Sequence, residues 1–283
     1  MRRSMLSLGE LIEQTAQRLA AAKLHYGHGT DNPRDEAAFL VLRGLGLPFG
    51  TDLSKKAEPR RIEPLVQRRI AQRIPAAYLL NEAWLDGVPF YVDRRVIIPR
   101  SHIAFLLGDL DARPRRILDL CTGSGCLAIL AARAFPEAKV EASDISTAAL
   151  EVAARNVRRH KLAGRIRLVQ SDLFAQLEGT YDLIVSNPPY VSTPAMRQLP
   201  REYRYEPGIA LAGGSRGVDY VRRIVAALPE RLNPRGLLVC EVGENRRAVE
   251  RAYPEAGFAW PRDEVFIAKR PSASRSAPRP GRA

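Results

Sequence analysis

The chain has 283 residues, with 44 lysines and arginines against 31 aspartates and glutamates, a formal net charge of +13. That length excludes a peptide-sized binding module and allows one large or two modest domains. Apolar content of 46% with 27% charged residues describes a globular chain rather than a disordered one, and three cysteines exclude a disulfide framework and suit a reducing compartment.

No apolar run approaches the ~20 residues that a membrane helix needs. Met1-Arg2-Arg3 is like a signal n-region, but Leu8, Leu11, Ile12, Thr15 and Leu19 follow at helical spacing, broken by Glu10, Glu13 and Gln14. That pattern predicts an amphipathic helix in a soluble, cytoplasmic protein. Residues 5 to about 80 read as helices, with turns at GHGTDNP (27–33), GLGLPFGTD (44–52) and IPAAY (74–78). Residues 55–73 hold Lys55, Lys56, Arg60, Arg61, Arg68, Arg69 and Arg73 against Glu58 and Glu63. Pro64 opens a helix there, with Leu65, Val66 and Ile70 facing the core and Arg68 and Arg69 facing outward. The stretch is either a solvated helix face or an RNA- or ribosome-facing patch. WLDGVPFYVDRRVIIPR (84–100) has β-rich, alternating character around Asp86-Gly87 and reads as a β-hairpin linker.

From residue 101 the texture becomes alternating strands and helices. Strands are expected at 115–120, 139–143, 166–170, 182–186 and 237–242, and helices at 125–135, 147–160 and 217–229, the second N-capped by Ser146. Short apolar strands alternating with helices argue for a parallel, doubly wound α/β sheet. Strands around 258–260 and 264–269 would add a closing antiparallel hairpin. The tail PSASRSAPRPGRA has no core-forming residue, so 271–283 are expected to be a disordered basic tail. The resulting organisation is a small all-α domain over 1–83, the linker over 84–100, and an α/β domain over 101–270. Net charge is +4 over 1–95, +6 over 96–270 and +3 over 271–283, so the basic excess is spread along the chain.

The first α/β strand runs into ILDLCTGSGC, placing Asp119 near its end and Cys121-Thr122-Gly123-Ser124-Gly125 before a helix. Glycines there let backbone approach a ligand at a helix N-terminus. The turn lacks both the third glycine of a dinucleotide fingerprint and the Lys-Ser/Thr of a phosphate-binding loop. Asp144, 25 residues after Asp119, ends the next strand, where a carboxylate can accept both hydroxyls of a ribose. Asp172 follows the third strand. This order of acids and glycines suits an adenosine-type ligand with a cationic centre, and is the pattern of S-adenosyl-L-methionine methyltransferases.

Strand four ends in Ser186-Asn187-Pro188-Pro189-Tyr190. The lone pair of an amide or aromatic amine nitrogen is delocalised, so the nitrogen is a poor nucleophile. Asn187 Oδ1 and the Pro188 carbonyl can each accept one N–H, orienting the NH2 towards a methyl group. Two prolines stiffen the turn, and Tyr190 can pack on the planar group. Positioning and desolvation would supply most of the rate, with no strong base required. Cys121, Cys126 and Cys240 read as small core or loop fillers, and four scattered histidines form no metal constellation.

ILDLCTGSGC, ASDIS, SDLF and SNPPY, in this order and spacing, resemble the HemK/PrmB family of protein-glutamine N5-methyltransferases. YGHGTDNPRDEA (26–37), RIPAAYL (73–79), FYVDRRVIIPRS (90–101) and REYRYEPGIALAGGSRGVDYVRRI (201–224) resemble its PrmB branch, which methylates a glutamine of the third large-subunit ribosomal protein. The likeness covers residues 8–270. It implies a seven-stranded Rossmann-like methyltransferase sheet and an S-adenosyl-L-methionine pocket at Asp119, Cys121–Gly125, Asp144, Asp172, Leu173 and Asn187. S-adenosyl-L-homocysteine would be the product, and no metal is required. It also implies that Asn187, Pro188, Pro189 and Tyr190 bind the substrate glutamine, and that the helical domain recognises the protein target. Three departures stand out: His102 where the branch commonly has Pro, no Trp after SDL so that Leu173 or Phe174 must pack there, and a short C-terminal hairpin. Competing readings are release-factor methylation, an adenine or cytosine amino-methyltransferase, and a non-catalytic ribosome-assembly binder. A nucleic-acid enzyme would have to flip a base and usually carries a target-recognition domain. The intact Asn187 argues against a non-catalytic binder.

Overall fold

The computed structural model describes residues 5–270, so the expected tail (271–283) and the Met1-Arg2-Arg3 start lie outside the described residues. The chain opens with β1 (Leu6–Ser7) and α1 (Leu8–Ala21), then α2 (Pro33–Gly44), β2 (Lys56–Ala57), α3 (Glu63–Gln72) and α4 (Ala76–Leu80). Ser7 and Glu10 close a reciprocal capping box on α1, and Asn32 followed by Pro33 caps α2. β1 and β2 pair antiparallel, a contact that the helical pattern alone does not announce.

β3 (Ala83–Leu85) and β4 (Val88–Phe90) form the expected hairpin. Its turn residues Asp86 and Gly87 both have positive φ, at 48° and 68°, the geometry that matches the twist of flanking strands. The hairpin is shorter than its expected span: residues 91–100 contain no strand. They lie instead along a later helix, where Asn156 takes over the pairing, its Oδ1 accepting from Tyr91 N–H at 2.7 Å and its Nδ2 donating to Tyr91 O at 2.9 Å.

The α/β part follows as β5 (Arg116–Leu120), α5 (Cys126–Ala134), β6 (Lys139–Asp144), α6 (Thr147–Arg159), β7 (Ile166–Gln170), β8 (Tyr181–Ser186), α7 (Thr193–Met196), α8 (Asp219–Arg231), β9 (Leu232–Glu241), α9 (Arg246–Ala252), β10 (Ala259–Arg262) and β11 (Val265–Lys269). Seven strands form one sheet in the order β10-β11-β9-β8-β5-β6-β7. β7, β6, β5, β8 and β9 are parallel, while β11 runs antiparallel to β9 and to β10. The sheet winds outward in both directions from β5 and β8, and a ligand site belongs at the carboxyl ends of those two strands.

The helical core does not stop at residue 83. Leu8, Leu19, Leu40 and Val66 share one buried cluster with Val92, Val96 and Ile98 of the connecting segment and with Ala149 and Val152 of α6. Arg69 is the largest correction. It faces inward at 1% exposure, its Nε donating to Glu36 Oε1 at 2.7 Å and one Nη donating to His25 O at 2.8 Å. Arg73 and Arg69 both pair with the buried Glu202, at 3.0 and 3.5 Å. Helical spacing puts position 69 on the side of Val66, and only the distant Glu36 and Glu202 make a buried guanidinium tolerable there. No described helix is long and apolar enough to cross a membrane.

Candidate active site

β5 and β8 are paired in register, Asp119 against Val185 and Leu120 against Ser186. The glycine turn and the Asn-Pro-Pro-Tyr turn therefore leave the sheet side by side. Ser186 Oγ donates to Leu120 O at 3.0 Å and ties the two strand ends together.

Asp119 is fully buried beneath the glycine turn. Its Oδ2 accepts from Thr122 Oγ1 at 2.6 Å and from Ala128 N–H at 2.9 Å, while Oδ1 has no partner among the described residues. Complete burial pushes the carboxyl up to about 7, against the pull of those two donors. Thr122 N–H donates to Ser143 O, and Gly125 N–H to Thr122 O, both at 2.9 Å. A Cβ at Gly125 would meet Ala153 Cβ at 3.2 Å, so this glycine lets α5 close on α6. Asn156 Nδ2 holds the Ser124 carbonyl at 2.9 Å. Asp119, Thr122, Ser124 and Gly125 build the turn from behind, through their hydrogen bonds and the close approach of α6, while Cys121 and Gly123 face the cavity in front of it. In β5 every side chain from Ile117 through Leu120 is buried before the chain turns out.

Cys121, Gly123, Asp144, Asp172, Leu173 and Asn187 do line that cavity, together with Ile145, Ser146, Ala149, Ser171 and Pro189. Asp144 Oδ2 accepts from Gly123 N–H and Oδ1 from Ser146 N–H, each at 2.9 Å, and burial raises its pKa. Ser146 also caps α6 through Ala149 N–H. Leu173 sits at φ 50°, a backbone conformation that non-glycine residues rarely adopt, and forms part of the cavity wall. Phe174, the other candidate for that place, packs into the core beside α8. Asp172 is half-exposed and pairs with Arg223 at 2.9 Å.

A second cavity adjoins the first. Asn187 lines both, with Pro188, Tyr190, Arg100, Tyr203 and Asn245 on the second side and Pro189 on the first. The Asn187 amide makes no hydrogen bond to a described residue, so its oxygen and nitrogen are free. Everything around it is fixed. Asn245 Nδ2 donates to Tyr190 O at 2.7 Å, and Val191 exchanges hydrogen bonds with Leu211 and Gly213 at 2.8 Å. A Cβ at Gly213 would lie 2.6 Å from Tyr190 Cα, one at Gly217 2.3 Å from Tyr190 O, and one at Gly243 2.6 Å from the Tyr190 ring. Tyr190 is raised by burial and by the neighbouring Glu241. Glu241 is itself buried at the end of β9, where it accepts from Ser101 Oγ at 2.6 Å and His102 N–H at 3.0 Å. His102 contributes its backbone there, and its ring has no part in either cavity.

Arg100, Glu206, Asn245, Glu241 and the three glycines are the residues that sequence reasoning missed. Only the glycine-rich LAGGSRG (211–217) offered a local signal. Arg100 forks onto Glu206 at 2.5 and 2.7 Å, and Glu206 Oε1 also accepts from Ile98 N–H at 2.9 Å. Among the described residues no His/Cys/Asp/Glu group could hold a metal ion.

Residues 102–199 match the family model described as methyltransferase small domain. The chain is 50% identical over 273 residues to a Bordetella pertussis protein named ribosomal protein uL3 glutamine methyltransferase, covering 92% of each chain. A protein of the same name from Neisseria meningitidis serogroup B is 47% identical over 269 residues, 90% of this chain and 89% of its own. Among solved structures, a methyltransferase from Pyrococcus furiosus aligns at TM-score 0.47 and 19% identity, over 75% of this chain and 98% of its own. Identity of this depth over nine-tenths of both chains places this chain in the family of ribosomal protein uL3 glutamine methyltransferases.

Proposed function

We propose that the chain transfers a methyl group from S-adenosyl-L-methionine to the side-chain amide nitrogen of a glutamine in ribosomal protein uL3, in the cytoplasm. The observation that carries this is Asn187, whose unpartnered amide stands where the two cavities meet. The first cavity fits the cofactor: Asp144 offers a carboxylate fixed by two backbone donors, Leu173 an apolar wall, and Gly123 and Cys121 close backbone approach. When bound, S-adenosyl-L-methionine supplies an electrophilic methyl group on a sulfonium.

The chain's own residues do the rest. Asn187 Oδ1 and the Pro188 carbonyl would accept the two N–H groups of the substrate amide, orienting the nitrogen towards the first cavity. Proline supplies no competing donor at either 188 or 189. Tyr190, seated on Gly243 and held through its carbonyl by Asn245, would pack against the planar amide. Positioning in a desolvated site is the source of rate.

The relatives' name favours uL3 over release factors and nucleobases as methyl acceptor. RNA contact through 55–73 draws less support: Arg69 is buried, Arg73 holds Glu202, and Arg60 holds Glu58. The test is transfer of labelled methyl to purified uL3, followed by mass spectrometry of its glutamine peptides. Asn187→Ala is expected to abolish transfer while S-adenosyl-L-methionine still binds; retained activity would overturn the role of Asn187.

A further inference from the structure

We infer that the outer face of the segment between β8 and α8 is a docking surface for RNA beside the mouth of the second cavity. The inference rests on the reading above, since it names what would surround the methylated protein. The inner side of this segment lines the cavity through Ser192, Ala195, Leu199 and Tyr203. Its outer side carries Arg197, Arg201, Arg204 and Arg216, all exposed and none paired with a described residue. The segment's own carboxylates cannot neutralise them. Glu202 is buried and held by Arg69, Arg73 and His25 N–H, and Glu206 is buried and held by Arg100. The charge is thus sorted, with acids turned inward and cations outward.

The surface continues onto its neighbours. The exposed Arg94 guanidinium lies 4.6 Å over the Tyr205 ring. The Tyr205 hydroxyl donates to Gln72 O, at the end of α3, at 2.5 Å. One turn back on that helix Arg68 is also exposed. These cations are all arginines, whose planar forks grip phosphate oxygens and keep their charge at any physiological pH. Tyr205, partly exposed beneath Arg94, adds an aromatic ring to this outer surface. An RNA-binding methyl acceptor is itself basic and would be repelled by this rim; bound RNA would reverse the sign of the encounter.

The experiment uses the full chain and a short labelled RNA hairpin, with affinity measured across a salt series. The triple variant R197Q/R201Q/R204Q is expected to lose about ten-fold or more in affinity and to flatten the log–log salt slope by about 2–3, as three lost phosphate contacts require. A control with the same charge change, R133Q/R158Q/K161Q, alters exposed residues of α5 and α6 and the turn after α6, over the β5–β7 half of the sheet, and should leave affinity unchanged. Methyl transfer to free uL3 should be unaltered in the rim variant. Equal loss in both triples, no loss in the rim variant, or displacement by polyglutamate as effective as by RNA of equal charge would overturn the inference. If the wild-type chain transfers no methyl to uL3 yet shows the rim-specific loss, the functional reading falls and the RNA surface stands.

Discussion

Asp119 is found by its motif, and its hydrogen-bond partners show what its carboxylate holds. A carboxylate at the end of the first strand of an α/β sheet is easy to find in sequence, but its neighbours decide whether it meets ligand or backbone. Here it holds the Thr122 hydroxyl and the Ala128 N–H, so it shapes the glycine turn. Its folded value of about 7 lies above its unfolded value near 3.8, so the folded state binds the extra proton between them. That contribution to stability is fully present below the unfolded value and is lost as pH rises through about 7. Asp119→Asn should remove this component: its melting temperature relative to wild type should rise between pH 5 and pH 8. A difference that stays constant across that range, measured by calorimetry, would count against the assignment. Asn187 was legible because two prolines and a tyrosine follow it. Asn245 and Gly243 were not, because single residues in an EVGEN stretch (241–245) carry no local pattern, and only folding brings them under Tyr190.

At the scale of elements, the junction between the helices and the sheet depends on buried ion pairs. Glu202 takes Arg69, Arg73 and the His25 backbone, and Glu206 takes Arg100 and Ile98 N–H. His28 packs its ring 4.5 Å from Tyr203, and burial lowers its pKa to about 4. The GHGTDNP turn is therefore seated on the segment that lines the second cavity. Arg69→Met should cost about 3–5 kcal/mol, because Glu36 and Glu202 would remain buried with too little compensation. Denaturant unfolding reads that loss. Trypsin should also cut faster at Arg201 and Arg204 in the variant, since the segment loses one anchor. Unchanged stability would mean that Arg69 is not what holds this junction.

Over the whole molecule, the helical part and the sheet share buried residues across the 91–100 segment, and Asn156 links Tyr91 to Ser124 at the glycine turn. Residues 5–270 are expected to melt as one cooperative unit. A chain beginning at residue 101 would expose Ala149 and Val152 and strip Asn156 of its Tyr91 partner, so it should aggregate or bind hydrophobic dyes. A well-folded fragment from 101 with wild-type affinity for S-adenosyl-L-methionine would refute that coupling. The net charge also changes meaning at this scale. Its exposed cations on the rim of the second cavity face outward, while the first cavity is lined by Asp144 and Asp172.

The amino-acid order by itself determined the alternation of strands and helices, the glycine turn after β5 and the Asn-Pro-Pro-Tyr turn after β8, because period, capping and short motifs are local and act between near neighbours. It also determined the Asp86-Gly87 turn and the Ser146 cap for the same reason. The tertiary structure alone decided that Asp119 lies behind the turn, that Arg69 is inside, and that glycines 213, 217 and 243 wrap Tyr190. It also decided that the cations beside the cavity lie on the β8–α8 segment. The burial of Arg69 and the wrapping of Tyr190 depend on partners tens to more than a hundred residues away, and a residue's burial is set by what the fold brings against it.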